Sequence, residues 1–244
     1  MNQPVIDVIL SPAEIDLLPR RDLGGAVAVV FDVLRATSTM ITALSHGAAG
    51  IRPARTIEEA LELKAAMPGA LLGGERHGER IEGFDLGNSP LEYGENVRER
   101  EIITTTTNGT IALRAVEGAA SVLAGAILNI DATAEQLMKL APGEIVIVCA
   151  GTFRDAALED ILAAGLLISL LPDRELTDSA RVALALYRQE EWDVHSAMRR
   201  AKNGRALIAK GREAEVEWCS RISALPILAE MGRDGVVRQA APRA

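Results

Sequence analysis

Aromatic residues are nearly missing. The 244 residues include three Phe, two Trp and two Tyr, so Ala, Leu, Val and Ile must build the core. Ala-rich helices packed closely on a sheet suit that composition. The same scarcity removes the stacking platforms on which single-stranded nucleic acid is held. Long basic runs are absent as well, and the formal net charge is −8, which argues against neutralising a phosphate backbone. Nucleic acid is therefore not an expected partner. A small anionic substrate is still compatible, because a few local arginines can hold it within an acidic protein.

Cysteine is scarce too: Cys149 and Cys219 lie far apart and form no C-x-x-C pair. No disulfide framework is expected, and a reducing compartment, the cytoplasm, is. No segment has 18 uninterrupted apolar residues, so no membrane span is expected. Met1 to Pro12 lacks a basic region followed by a long apolar stretch, so no signal peptide is read there. Familiar phosphate and nucleotide motifs are also missing. There is no G-x-x-x-x-G-K-[ST], and no G-x-G-x-x-G follows a strand. Asp32-Val33-Leu34 lacks the second aspartate that a haloacid-dehalogenase-type phosphatase uses two residues on. Cys149 and Arg154 are separated by four residues, where a cysteine-dependent phosphatase loop needs five. His46, His77 and His195 are scattered, which gives no histidine metal cluster.

What is present is alternation. Apolar, β-branched runs at Val5–Leu10, Val27–Asp32, Ala70–Leu72, Glu101–Thr107, Ala120–Leu123 and Glu144–Cys149 read as strands. Helical segments separate them, among them Thr56–Met67, where Thr56 and Glu59 suggest a capping box, and Ala156–Leu171. From Thr177 the chain reads as mostly helical, and those Ala- and Leu-rich helices are read as covering either the sheet or a homodimer interface. The tail after Gly232 reads as frayed. Gly73 to Pro90 reads as an irregular loop, a kind of segment that is usually functional or disordered. The expectation is a three-layer α/β fold, with a largely parallel or mixed sheet and helices on both faces. Residues 1–244 are read as one α/β domain or two α/β lobes, with 175–230 the helical part.

Chemistry-bearing residues gather at strand ends. Asp32 closes an apolar strand, and open α/β sheets bind ligands at such carboxyl ends. Arg35 follows, and Ser38 or Thr39 could cap the next helix, whose N–H groups favour an anion. Glu75-Arg76 follows a buried strand. Asp85, Asn88 and Ser89 lie in the irregular loop. Thr106, Thr107, Asn108, Gly109 and Thr110 carry a strand into a helix through hydroxyls. Cys149 and Gly151, with Glu159 and Asp160 one or two turns on, form a weaker fifth place. Oxygens of Asp32, Glu75 and Asp85 would suit Mg²⁺, which usually takes one or two carboxylates plus water and phosphate. Arg35 and Arg76 could clamp anions through paired donors. Each group also has a plain structural reading: a strand end, a surface pair, or good strand sequence.

At these residues the chain resembles the 2-phosphosulfolactate phosphatase family. The matching stretches are Val30-Phe31-Asp32-Val33-Leu34-Arg35-Ala36-Thr37-Ser38, Gly74-Glu75-Arg76, Gly83 to Pro90, Thr105 to Thr110, and Cys149 to Thr152 with Leu158-Glu159-Asp160. They run in order over roughly residues 27 to 170, and near Val216, where the pattern leads one to expect an aspartate, this chain has Glu215. The resemblance implies an α/β topology of the family's own and a Mg²⁺-dependent phosphatase, active on the small phosphate ester 2-phospho-3-sulfolactate in a step of coenzyme M synthesis. Under that expectation Asp32, Arg35, Glu75, Arg76 and Asp85 are catalytic, with Asp32, Glu75 and Asp85 on the metal. Ser38, Thr39, Asn88, Ser89, Thr106, Thr107, Asn108, Gly109, Thr110, Cys149 and Gly151 bind substrate. Two routes stay open: attack by water, or transfer of the phosphoryl group to Asp32 first. Another small phosphate ester as substrate, or non-catalytic anion binding on the same sheet, are the competing readings.

Overall fold

The computed structural model describes residues 4–171 and 174–240. In chain order the elements are β1 (Val5–Ile9), α1 (Pro12–Ile15), β2 (Ala26–Phe31), α2 (Ala36–Ser45), β3 (Gly50–Pro53), α3 (Ile57–Ala66), β4 (Leu71–Arg76), β5 (Glu79–Arg80), β6 (Glu101–Thr105), α4 (Gly109–Ala115) and β7 (Ser121–Gly125). There follow α5 (Ile130–Leu140), β8 (Glu144–Cys149), α6 (Leu158–Ser169), β9 (Glu175–Leu176), α7 (Asp178–Glu190), α8 (Val194–Arg200), α9 (Lys202–Ala209), α10 (Glu213–Cys219), β10 (Leu228–Met231) and β11 (Val237–Ala240).

The apolar runs become strands buried on both faces because their side chains alternate between two cores. Val27, Val29 and Phe31 of β2 pack with Ile145, Ile147 and Cys149 of β8 under α5, α6 and α7. Ala26, Ala28 and Val30 pack with Val146 and Val148 under α2 and α4. Helices therefore cover both faces, giving the three-layer α/β arrangement. Each buried branched side chain contributes roughly 1.5–3 kcal/mol relative to exposure. A smaller core joins Leu72, Ile103 and Phe84 to Ala60 of α3.

The sheet runs β5-β4-β6-β3-β11-β10-β7-β2-β8-β1-β9. One half, β7-β2-β8-β1, is parallel. The other, β3-β6-β4, is parallel within itself. Between them stands the antiparallel pair β10–β11, with β10 antiparallel to β7 and β11 to β3. Counted through those pairings, the two halves run in opposite senses. Twist reconciles them: five steps from β6 to β2, at roughly 20–25° each, turn one half by more than about 100° against the other. The carboxyl ends of both halves can then face one cleft.

The expectation of a frayed tail after Gly232 is overturned. Asp234-Gly235 is a hairpin turn signal: Gly232 N donates to Val236 O, Gly235 N donates to Gly232 O, and Gly235 has φ +73°. The strand β11 that follows joins the two halves of the sheet. Residues 241–244 lie outside the described residues. The segment from Gly73 is also more regular than expected, since β4 continues to Arg76 and turns into β5. Thr56 does cap α3, accepting from Glu59 N, but Glu59 reaches Arg55 N rather than Thr56 N.

Candidate active site

Asp32 stands just past the end of β2 and sets the start of α2. Its Oδ1 accepts from Ala36 N at 3.0 Å, and its own N–H donates to Thr37 Oγ1 at 3.0 Å. A carboxylate at a helix start is favoured by the exposed N–H groups there. Ser38 and Thr39, expected as caps and substrate ligands, are spent elsewhere. Ser38 Oγ donates to Val33 O and Thr39 Oγ1 to Asn88 O, both buried. Asp32 Oδ2 points toward Gly109: a Cβ added there would lie 2.6 Å from it. Gly109 is thus needed for close approach of α4 to the acid, a role in packing rather than in direct binding.

Asp160 ties two strand ends together. Its Oδ1 accepts from Val33 N at 2.8 Å and its Oδ2 from Gly151 N at 3.0 Å, so the exits of β2 and β8 share one buried carboxyl. Gly151, φ +72°, lies where a Cβ would meet Asp155 O at 2.5 Å. Glu75, near the end of β4, is braced in the same way: Oε1 accepts from Thr107 N at 2.8 Å and Oε2 from Gly78 N at 2.7 Å. Arg35 is 4% exposed, pairs with Glu215 Oε2 at 2.5 Å and donates to Gly78 O at 3.2 Å.

These elements enclose a cavity of about 190 Å³. Asp32, Arg35, Glu75, Asn88, Thr107, Asn108 and Gly151 all line it. Thr107 Oγ1 is buried without a hydrogen-bond partner. Asn108 lines the cavity, yet its amide is occupied: Nδ2 donates to Ala150 O and Phe153 O, and Oδ1 accepts from Phe153 N. It clamps the loop after β8. At the mouth, the His77 and Phe153 rings lie 5.9 Å apart.

Other expected site residues lie apart from this cavity. Asp85 is turned away from it, its carboxylate accepting from Leu72 N at 2.8 Å. Arg76 donates to Glu75 O and Thr105 Oγ1. Thr106 and Thr110 bond each other across the turn. The Ser89 carbonyl accepts from Glu92 N in a short turn. Cys149 belongs to the core, and burial pushes its thiol well above the usual range.

The last third supplies what sequence reasoning left out. Asn203, Leu207 and Lys210 line the cavity. Asn203 Nδ2 donates to Glu159 Oε1 and Thr152 Oγ1, each at 2.5 Å. The other oxygen of Glu159 is buried and unpartnered. The departure at Glu215 was the visible signal in this region; Asn203 and Lys210 carry none, because polar residues on a helix look alike until the helix is docked.

Electrostatically the site is strained by its acids. Burial, with repulsion from Glu75 and Glu159, pushes Asp32 up to about 7 against the opposing Ala36 N–H bond and Arg35. Burial raises Glu159, and burial with repulsion from Asp32 and Glu159 raises Asp160. Crowded carboxylates with an unpartnered buried oxygen fit a hard cation. Among the described residues no group of three His, Cys, Asp or Glu side chains is arranged to hold a metal, so a cation such as Mg²⁺ would have at most one or two carboxylates here, with water and substrate completing its shell.

Fold and pocket together define a class: an α/β enzyme with an acid–arginine site at the carboxyl ends of its strands. The chain belongs to the 2-phosphosulfolactate phosphatase family, whose model, described as 2-phosphosulpholactate phosphatase, matches residues 13–233. A protein of Clostridium acetobutylicum is 39% identical over 88% of this chain and 92% of its own length. One of Carboxydothermus hydrogenoformans is 40% identical over 92% of both. One of Caldicellulosiruptor saccharolyticus is 44% identical over 82% and 86%. Each bears the name probable 2-phosphosulfolactate phosphatase. Among the described residues no helix is long and apolar enough to cross a membrane.

Proposed function

We propose that this chain hydrolyses 2-phospho-3-sulfolactate to 3-sulfolactate and phosphate, with Mg²⁺ as cofactor. The observation that carries the reading is the meeting of Asp32, Glu75 and Arg35 in one cavity at the carboxyl ends of both sheet halves. Family membership supplies the substrate. In the reaction the P–O bond to the lactate oxygen breaks and a water oxygen ends on phosphorus, so the products are an alcohol and inorganic phosphate.

Asp32 is the group assigned to the phosphorus, since it lines the cavity and its carboxylate is fixed there through Oδ1 by Ala36 N. Arg35, held by Glu215, binds phosphoryl oxygens, and the free hydroxyl of Thr107 donates to another. Asp32 and Glu75 would hold Mg²⁺, with Glu159 behind them; Asp85 is left out of the set. When bound, the ion supplies charge neutralisation at the phosphoryl oxygens. The two buried cysteines, both free, suit a reducing cytoplasm.

The test is phosphate release from racemic 2-phospho-3-sulfolactate, 2-phospholactate and an aryl phosphate, with Mg²⁺ and with EDTA. Metal-dependent release that prefers the sulfonated ester is expected. Release only from the other esters would move the enzyme to another substrate, and no release from any would leave an anion-binding protein. Acid quenching separates the routes: a phosphoenzyme in wild type but not in Asp32→Asn means Asp32 carries the phosphoryl group, and its absence in both means water attacks directly.

A further inference from the structure

One wall of the cavity is left over by this assignment. Asn203, Ala206, Leu207 and Lys210 line it, at spacing i, i+3, i+4 and i+7, so it is one face of α9 continued to its carboxyl cap. Asn203 is occupied by Glu159 and Thr152. Ala206 and Leu207 offer apolar surface. Lys210 stands at the far end. Its Nζ donates to Glu79 Oε1 at 2.7 Å, while Arg212 donates to Glu79 Oε2 at 2.8 Å and to Gly78 O at 2.8 Å.

The charges around this turn differ in how firmly they are held. Glu79 is shared by two cations, and Arg35, which also reaches Gly78 O, is matched by Glu215. Three cations, Lys210, Arg212 and Arg35, thus gather around this turn with three acids, Glu79, Glu215 and Glu75, the last accepting from Gly78 N. Glu79 and Lys210 have side chains 58% and 45% exposed, so their pair is screened and readily exchanged. Arg212 can keep Glu79 and the turn in place when Lys210 leaves.

We propose that Lys210 is the specificity-determining residue of the site: it binds the anionic group of the substrate farthest from the phosphate, the sulfonate. The proposal rests on the phosphatase reading above. The scissile phosphate lies on the floor by Asp32 and Arg35, the carbon skeleton runs along Ala206 and Leu207, and the distal anion takes Lys210 from Glu79. An ammonium, with three rotatable donors, can follow a tetrahedral sulfonate without a fixed planar fit.

The experiment compares phosphate release from 2-phospho-3-sulfolactate and 2-phospholactate by wild type, Lys210→Met, Lys210→Arg and Glu79→Gln. In Lys210→Met the KM for the sulfonated ester should rise about tenfold and that for phospholactate less than about threefold. Lys210→Arg should restore most of the preference. Glu79→Gln should lower the KM for the sulfonated ester by about two- to threefold, because the competing acid is gone. If Lys210 merely braced the hairpin, Lys210→Met and Glu79→Gln would lose alike on both substrates, and that result overturns the proposal, as does an unchanged preference in Lys210→Met. Wild type alone tests the phosphatase reading. If it releases no phosphate, calorimetric titration with 3-sulfolactate and lactate decides: roughly tenfold weaker 3-sulfolactate binding in Lys210→Met upholds the assignment, and equal affinity, or no binding to wild type, overturns it.

Discussion

The cavity has a floor and a wall, and they are built by different means. The floor is made of strand ends, where Asp32 and Glu75 are held by backbone N–H groups and Asp160, reaching in from α6, ties the exits of β2 and β8 together. Those donors are backbone groups of the turns and helix starts that follow the strands, so each acid has little freedom. The wall is one face of α9, with α10 beside it, and they meet the rest of the site through side chains: Asn203 of α9 on Glu159, Lys210 at its end on Glu79, and Glu215 of α10 on Arg35. Backbone support fixes a reacting group, whereas side-chain support can be exchanged for a ligand. The floor should therefore govern the rate of chemistry and the wall the choice of substrate.

The largest expected effect is on the floor. Asp32→Asn should keep the bond to Ala36 N through its amide oxygen while removing the carboxylate charge. Phosphate release at saturating ester should fall about 10³-fold or more. A fall below about tenfold in steady-state kcat would erase the distinction between floor and wall.

Glu215→Ala tests the joint between them. It leaves the Arg35 guanidinium, 4% exposed, without its acid. Breaking a buried pair costs about 3–5 kcal/mol because one charge stays buried, so the urea midpoint should drop by an amount worth about 3 kcal/mol. A loss under about 1 kcal/mol would show that Arg35 finds water or another acid, and that α10 is not needed to hold it.

The contrast between the two regions also explains which parts were legible in the sequence. Asp32, Arg35 and Glu75 stand out because a charge after a run of β-branched residues is local information. The alternation of β2 and β8 gave the fold class for the same reason. Asp85 misled, since its position in a charged loop resembled that of Glu75, and only the approach of Leu72 N shows it to be a brace. Ser38 and Thr39 misled because the helix start is capped from four residues back by Asp32. Asn203 and Lys210 were illegible, because their meaning lies in the docking of α9. The strand β11 was missed although Asp234-Gly235 signalled its turn.

Stability against pH sharpens the comparison further, because the acids of the floor repel one another. In metal-free protein Asp32 titrates at about 7 when folded, against 3.8 as an ordinary aspartate. Between those values the folded state keeps a proton that the unfolded state releases, so stability falls as pH rises through the window and the loss is complete above about pH 7. Denaturant melts of wild type in EDTA should lose on the order of 2–4 kcal/mol from this group between pH 4 and pH 8. Asp32→Asn should lack that component and be the more stable protein at pH 8. Parallel profiles for the two proteins would place the repulsion elsewhere.

The smallest effect concerns a single oxygen. Thr107 Oγ1 is buried and unpartnered while Thr107 N is held by Glu75. A hydroxyl shut away from water without a partner costs the fold about 1–3 kcal/mol. Valine has nearly the same shape and no such group, so Thr107→Val should raise the stability of the ligand-free protein by about 1 kcal/mol. The same change should weaken inorganic phosphate binding about tenfold if the hydroxyl is kept for an anionic oxygen. Calorimetry with phosphate and a urea melt read the two effects separately. Higher stability with unchanged phosphate affinity would make Thr107 a packing residue that happens to line the cavity. Opposite signs in the two measurements would mark it as a floor group whose polarity is retained for the ligand at the expense of the fold.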